Sequence, residues 1–344
     1  MRAKPITIVG GGLAGLTLGV GLRREGIPVT LWEAGHYPRH RVCGEFISGR
    51  GQAVLHKFGL WDALLQAGAI RARSAAFFLG EVRSPVRSME PPALCISRFS
   101  LDALLAGVFR QAGGELREGM RWQGDSSEGT VRASGRRLQP VEGGWRWFGL
   151  KMHARRVALA ADLEMHGVPN GYVGLSRLPA GEVNICGLFR SRATMQQKPA
   201  AWDLLRGEPG TRLWARLENA DLMEESFCAV AGLSLRPARA AGRAECCIGD
   251  AITMIPPVTG NGMSMAFEAA DLATPPLRAY SRGDLDWRSA QMTVARACDQ
   301  AFACRLVWAR LVQHLMFTPG MRKQFGRWVL ASDWIWRLLF RKTR

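Results

Sequence analysis

Residues 6–15 read ITIVGGGLAG and residues 29–33 read VTLWE, and these two stretches decide the fold. Ile6 to Val9 is a short apolar strand, and Gly10-Gly11-Gly12-Leu13-Ala14-Gly15 is a glycine turn that opens a helix. Val29 to Trp32 is a second apolar run, closed by Glu33. Each piece suits one part of a dinucleotide. Gly10 permits the tight turn, Gly12 places no side chain between backbone and pyrophosphate, and Gly15 lets the helix lie close to the strand. The helix start, with Leu13 and Ala14, offers free N–H groups to phosphates. Glu33, followed by Ala34, suits ribose hydroxyls and would repel a 2′-phosphate, which favours FAD or NAD over NADP. Leu13, Leu16 and Val20 share one helix face, and Gly26 followed by Pro28 stops the helix.

The 344 residues allow one large domain or two modest ones, and no internal repeat or low-complexity linker separates them, so interleaved domains are expected. No uncharged apolar run is long enough to cross a bilayer, and the first apolar stretch is the glycine turn rather than a signal peptide, so export is not expected. Eight cysteines form no CxxC pair and no zinc spacing. Reduced thiols in a cytoplasmic protein without a metal are the expectation. The net charge of +17 calls for a surface explanation. The arginines are scattered and no nucleic-acid motif is present, so nucleic acid is not an expected partner; an anionic membrane surface or an acidic substrate is.

Further along, Gln52 to Ala67 reads as a helix, and Ala75 to Leu79 and Ala93 to Ile96 read as strands. Ser100 is expected to cap a helix that ends at Gly113-Gly114. From Trp145 the pattern turns to β, with strands expected at Trp147 to Leu150, Val157 to Leu163, Gly171 to Leu175 and Val183 to Leu188, forming an antiparallel substrate sheet. A helical stretch near Trp202 to Leu217 and a strand at Phe227 to Ala231 follow, and the chain reads helical beyond about Leu285.

A second motif runs from Gly249 as GDAITMIPPVTGNGMSMAFEAADLA. Asp250 at a strand end can accept bonds from ribityl hydroxyls. A Pro256-Pro257 turn leads to Gly260-Asn261-Gly262-Met263, which opens a helix whose N-terminus favours the electron-rich end of a reduced flavin. Here the chain resembles the FAD-dependent family that includes para-hydroxybenzoate hydroxylase-type monooxygenases and geranylgeranyl reductases. Three further stretches carry the resemblance. Pro38 to Ser48, with Arg41, Val42, Cys43 and Gly44, is similar to the cysteine-glycine loop beside the isoalloxazine. Arg98 with Leu101, Asp102 and Leu105 is similar to a helix start whose arginine approaches the cofactor, and Ala133-Ser134-Gly135-Arg136 stands where a related turn carries an acid instead of Ser134.

The resemblance implies an α/β fold: a Rossmann-like, three-layer ββα FAD-binding domain (1–74, 97–144 and 235–285) interleaved with an antiparallel substrate domain (75–96 and 145–234), then a helical region at 286–344. It implies FAD, with NAD(P)H as transient reductant because no second nucleotide motif exists. Hydroxylation of a phenolic or hydrophobic molecule through a reduced-flavin hydroperoxide is the leading expectation, and saturation of isoprenoid double bonds is the enzyme alternative. A membrane-associated interaction protein that holds FAD structurally is the non-enzyme alternative. The motifs of flavin-dependent halogenases are not found, so halogenation is not expected.

Candidate catalytic residues are Cys43, Glu45 and His153. Each has a plain structural reading: an inert thiol in a turn, a solvated or capping carboxylate, and a strand-end imidazole bonded to backbone. Met254, Ile255 and Pro256 are expected to wall the flavin pocket. From Ala301 onward Trp308, Met316, Phe317, Phe325, Trp328, Trp334, Trp336 and Phe340 alternate with Arg and Lys, which suits either a helix in an anionic interface or helices covering the core.

Overall fold

The computed structural model describes residues 3–343 except 81, 126, 195–199, 319, 322–323, 325 and 327–330. In chain order the strands are β1 (Ile6–Val9), β2 (Val29–Glu33), β3 (Phe46–Ile47), β4 (Ile70–Leu79), β5 (Val82–Arg83), β6 (Arg87–Cys95) and β7 (Glu115–Glu118). They continue with β8 (Thr130–Arg132), β9 (Trp145–Arg155), β10 (Leu163–Val168), β11 (Gly171–Arg177), β12 (Val183–Arg192), β13 (Asp221–Ala231) and β14 (Cys246–Cys247). The helices are α1 (Leu13–Arg24), α2 (Arg50–Lys57), α3 (Trp61–Gln66), α4 (Arg98–Gln111), α5 (Ala201–Arg206), α6 (Arg212–Leu217), α7 (Gly262–Arg282), α8 (Trp287–Phe317) and α9 (Asp333–Lys342).

A parallel sheet in the order β14-β8-β1-β2-β7 forms the first layer. Helix α1 crosses from β1 to β2 and is buried from Leu13 to Leu22, more completely than one apolar face predicts, because α4 and α7 pack on its outer side. The fit depends on Gly15: a Cβ there would stand 2.0 Å from the Gly10 carbonyl oxygen. One continuous core joins this sheet to α1, α4, α7 and α8. The buried Arg305 guanidinium on α8 meets the Glu268 carboxylate on α7 in a fork, with one arm at 2.7 Å, and ties the long helix to the core.

The second sheet runs β13-β9-β12-β11-β10-β4-β6-β3, with β5 on the edge of β4. It is antiparallel except where β10 runs parallel to β4, so it is mixed rather than the purely antiparallel sheet expected. One face packs on α5 and α6 through Leu205, Leu213 and Leu217, and side chains alternate, so the other face looks towards the nucleotide-binding layer.

Several expected elements shift for local reasons. The helix expected over Gln52 to Ala67 is two helices, broken where Gly59 takes a φ of +54°. Ser97 caps α4 by accepting the Ser100 N–H at 3.1 Å; Ser100 lies inside the first turn. Val157 to Asp162 is a loop rather than a strand. There Glu164 takes the Ala160 N–H, and Asp162 turns outward to take the Arg73 N–H at 2.8 Å. Trp202 to Leu217 splits around Gly207, and Thr211 caps the second piece. The strand expected at Phe227 starts at Asp221 and carries a bulge between Met223 and Cys228.

Candidate functional site

At the C-terminal end of β1 the chain turns through Gly10, whose φ of +111° and approach to Ala133 leave no room for a side chain. Gly12 then forms the N-cap of α1, and a Cβ there would meet nothing within 4 Å. The first N–H groups of α1 therefore face open space, as a phosphate requires. Glu33 ends β2 beneath this turn, accepting the Gly11 N–H at 2.9 Å and the Gly35 N–H at 2.8 Å and pairing with Arg39 at 2.7 Å. Burial alone would raise its pKa; the Gly35 bond and the Arg39 and Arg41 charges outweigh it, so Glu33 stays ionised below the usual carboxylate range.

From Gly12 a cavity of about 710 Å³ extends across the molecule to the face of the mixed sheet that looks towards the nucleotide-binding layer. Of the residues expected at a cofactor, Gly12, Leu13, Ala14, Arg41, Val42, Cys43, Arg98, Asp250, Pro257, Gly260, Gly262 and Met263 line it. Gly10, Gly15, Glu33, Ala34, Gly249 and Asn261 stand outside the lining. Asn261 is fully buried and turns its amide to the Thr343 carbonyl at the end of α9. Met254 and Ile255 wall the cavity, while Pro256 is packed away and Pro257 takes its place.

Asp250 faces the cavity with much of its surface accessible, yet the protein around it removes enough water to push its carboxyl up to about 6, against the pull of Arg98 and Arg136. Asp102 is buried and holds two arginines, Arg98 at 2.7 Å and Arg41 at 3.1 Å, which fixes both at the middle of the cavity. Cys43 lies between them and the mixed sheet, and burial raises its thiol pKa, so it stands as a neutral thiol.

Glu45 and His153 come together. The Glu45 carboxylate accepts the Arg98 backbone N–H at 2.7 Å and lies 2.6 Å from His153 Nε2. Glu45 is thus a capping carboxylate for α4 but not a solvated one, and the His153 ring is paired with a side chain rather than with backbone. The Glu45 φ of +57°, unusual outside glycine, is held by the β3–β6 pairing that follows. Lys151 enters the same cluster, 3.6 Å from Glu45 and 2.9 Å from His40 Nδ1. The pattern that would have found it is the period of two: Lys151 and His153 share one face of β9, while Leu150, Met152 and Ala154 pack into the core on the other.

Away from this cluster the cavity is an apolar chamber. Phe77, Met165, Tyr172 and Leu188 rise from the sheet, and Val312 and Met316 descend from α8. Helix α9 closes it with Trp336, Leu339 and Phe340, held by Arg87 to Asp333 at 2.9 Å and by Trp336 against Phe77 at 4.8 Å. The Tyr172 hydroxyl is buried without a hydrogen-bond partner among the described residues, and burial keeps it protonated. The C-terminal aromatics thus do cover the core, while Trp334 on the outer face of α9 is 71% exposed beside Arg337 and Arg341. Phe325 and Trp328 lie outside the described residues. Among the described residues no helix is long and apolar enough to cross a membrane.

The sequence pattern described as "FAD binding domain" matches residues 3–140. "Monooxygenase 1" of Arabidopsis thaliana is 34% identical over 117 residues, 32% of this chain and 30% of that protein. "Conditioned medium factor receptor 1" of Dictyostelium discoideum is 26% identical over 125 residues, 33% of this chain and 24% of that protein. The matched region thus spans less than a third of either relative. Among solved structures, the flavin-dependent brominase Bmp2 superposes with a TM-score of 0.76 at 18% identity, covering 99% of this chain and 94% of that one. PqsL, a probable FAD-dependent monooxygenase from Pseudomonas aeruginosa, gives 0.70 at 14% identity, covering 94% and 99%. A geranylgeranyl bacteriochlorophyll reductase-like protein from Thermoplasma acidophilum gives 0.72 at 14% identity, covering 99% and 97%. At these identities the superpositions establish the fold.

Proposed function

From the FAD binding domain pattern over residues 3–140 and the cavity that opens at it, we propose that this chain is an FAD-dependent oxidoreductase, a monooxygenase acting on a hydrophobic, aromatic small molecule. The observation that carries this reading is the continuity of the cavity: the open helix start at Gly12 and the Asp250 loop share one continuous space with the apolar chamber beneath α9. The α1 N-terminus would hold the pyrophosphate, and Asp250 and the α7 N-terminus the ribityl and pyrimidine end. When bound, FAD supplies hydride acceptance and, once reduced, oxygen activation. The chain's own part is to exclude water and orient the substrate. Phe77, Met165, Leu188 and Trp336 desolvate its ring, and the Tyr172 hydroxyl donates to a polar substituent.

Reducing equivalents would come from NAD(P)H. A smaller cleft of about 270 Å³ beside the Ser134 turn is lined by Arg132, Arg136 and Arg137, of which Arg132 and Arg137 pair with Glu245 at 2.8 and 3.5 Å, so Arg136 is the group it would turn to a phosphate. Contact with an anionic membrane is part of the proposal, since Trp334 with Arg337 and Arg341 forms an outer face suited to head groups directly behind the chamber wall. The test is reconstitution with FAD followed by NAD(P)H oxidation in the presence of hydrophobic phenols. Oxygen uptake matched to hydroxylated product is the expected result. Turnover of an isoprenoid under anaerobic conditions would replace this reading with the reductase, and FAD binding without any turnover would leave a structural flavin.

A further inference from the structure

Resting on the monooxygenase reading, we propose that Glu45, His153 and Glu182 form a proton path between the buried, sheet-side end of the cavity and solvent. Glu45 lines the cavity and is 0% exposed, and His153 is 2% exposed. Glu45 Oε2 lies 2.6 Å from His153 Nε2, and on the other side of the ring His153 Nδ1 lies 3.7 Å from Glu182 Oε2. The Glu182 side chain is 19% exposed and its second oxygen is 3.0 Å from the exposed Arg155. An imidazole between two carboxylates, one buried on the cavity lining and one reaching water at the end of the sheet, is an arrangement that can carry a proton between them without opening the sheet.

The path needs little movement. The Glu182–His153 gap closes by about 0.8 Å to reach hydrogen-bond length, within the freedom of a glutamate side chain that reaches the surface. Glu182 follows a tight turn whose Leu178 N–H bonds its carbonyl at 2.8 Å, so its backbone is fixed while the side chain moves. His153 is anchored through its backbone N–H to Ser226 Oγ at 2.7 Å, inside the β13 bulge.

Protons balance along the path. In the 2.6 Å contact the ring proton sits on His153 Nε2 against the Glu45 carboxylate. An inward transfer brings a proton from water through Glu182 to Nδ1, while the ring gives its Nε2 proton to Glu45 and so to a group in the cavity. An outward transfer from a hydroxyl or water in the cavity returns a proton through Glu45 to Nε2 and releases the Nδ1 proton to Glu182 and water, which restores the starting state.

The charged and titratable neighbours come from each packed element: Lys151 on β9; His40 and Cys43 on the loop before β3; Arg98 on α4; Cys186 on β12; and Glu225 and Cys228 on β13. Burial, with the charges of Lys151 and His153, pushes His40 down to about 4, so His40 stays neutral and does not compete as a carrier near neutral pH.

The experiment is ¹⁵N-histidine labelling and measurement of His153 ring N–H exchange with water by NMR, in flavin-free and FAD-loaded protein. We expect exchange far faster than burial allows, slowed at least tenfold by Glu182→Gln and to an intermediate degree by Glu182→Asp, with FAD affinity unchanged. The pH profile of substrate-stimulated oxygen uptake shifts in the same variants. Exchange that stays within twofold of wild type in both variants overturns the path. Failure of the monooxygenase reading appears separately, as wild-type protein that neither binds FAD nor consumes oxygen, because the exchange remains measurable without flavin.

Discussion

Replacing Gly12 with alanine should abolish cofactor binding while leaving the empty protein intact, whereas Gly15→Ala should damage the fold itself. At Gly12 the backbone angles, φ −81° and ψ −174°, suit any residue, and the added Cβ meets nothing within 4 Å. Alanine stabilises by narrowing the unfolded ensemble and is a poorer N-cap than glycine, so the net change in the flavin-free protein is within about 0.5 kcal/mol. The methyl group nonetheless fills the space a pyrophosphate must enter to reach the first N–H groups of α1. Losing two bonds to a charged group at about 1.5–3 kcal/mol each gives at least about 3 kcal/mol, a fall in affinity of more than about 100-fold. At Gly15 the Cβ would lie 2.0 Å from the Gly10 oxygen and 3.2 Å from Ala133 Cβ, both in the core. Relief requires α1 to move, at a cost of at least about 2–3 kcal/mol. Thermal unfolding of flavin-free protein and titration with FAD, followed by quenching of flavin fluorescence, separate the two effects. A Gly12→Ala protein that binds FAD like wild type would refute the placement of the phosphates.

Asp250 gives a pH signature. Its carboxyl titrates at about 6 in the folded chain against an ordinary 3.8, so between those values the folded state keeps a proton that the unfolded chain has lost. Stability from this group is complete below about pH 3.8 and falls as pH rises through about 6. The full difference is about 3 kcal/mol, and screening by water in the cavity reduces it to about 1–2 kcal/mol. Asp250→Asn should therefore stabilise flavin-free protein by about that much at pH 8 and by nothing near pH 4, while weakening FAD binding; equal effects at both pH values would contradict it. Tyr172→Phe should raise KM for a hydroxyl-bearing substrate about 5- to 30-fold, the loss of about 1–2 kcal/mol, with kcat and FAD affinity little changed, which steady-state kinetics would read. Glu268→Gln should destabilise the protein by about 3–5 kcal/mol by leaving Arg305 buried without its charge partner, and the double variant Glu268→Gln, Arg305→Met should recover much of that in chemical denaturation.

The parts of the fold legible in the sequence are those fixed by neighbours in the chain. The β1 turn and the Asp250 loop are set by glycines, a strand end and a helix start within a few residues. Ser97 and Ser100 illustrate where local signals stop: both precede the same apolar helix, and only the extended backbone at Ser97 decides which one caps it. Val157 to Asp162 is apolar enough for a strand, but the carboxylate that takes its N–H groups, Glu164, declares itself only once β10 is paired. Glu182 was illegible for the same reason, whereas Lys151 shows in the period of two on β9 and only its pairing with Glu45, more than a hundred residues away, does not. Glu182 pairs with His153 and Arg155, which it meets only across the β9–β12 register of the mixed sheet. The closure of the chamber by α9 depends on Arg87, Phe77 and Asn261, none of them adjacent to it in sequence.

That register explains why the cavity changes character along its length. Across β11, β12, β9 and β13 one row of paired positions is Tyr172, Leu188, Gly149 and Val230. The next row on the same face is Gly174, Cys186, Lys151 and Cys228, and the third is Ser176, Asn184, His153 and Met223. The first row is apolar and faces the chamber. Gly174 and Cys186 in the second are small enough to admit the loop carrying Val42 and Cys43, which Asn184 and Ser176 in the third hold by bonds to the Cys43 and Gly44 carbonyls at 2.9 and 2.7 Å. Because side chains alternate, slipping any one strand by a single residue would exchange these for the Val173, Leu175 and Ile185 face that packs against α5 and α6. Hydrophobic burial on the far face therefore fixes the polar gradient on the near one. On the proposed function, a substrate with its ring against Tyr172 and Leu188 would place its reacting edge towards the Cys43 loop, with Lys151 and His153 in the rows beyond.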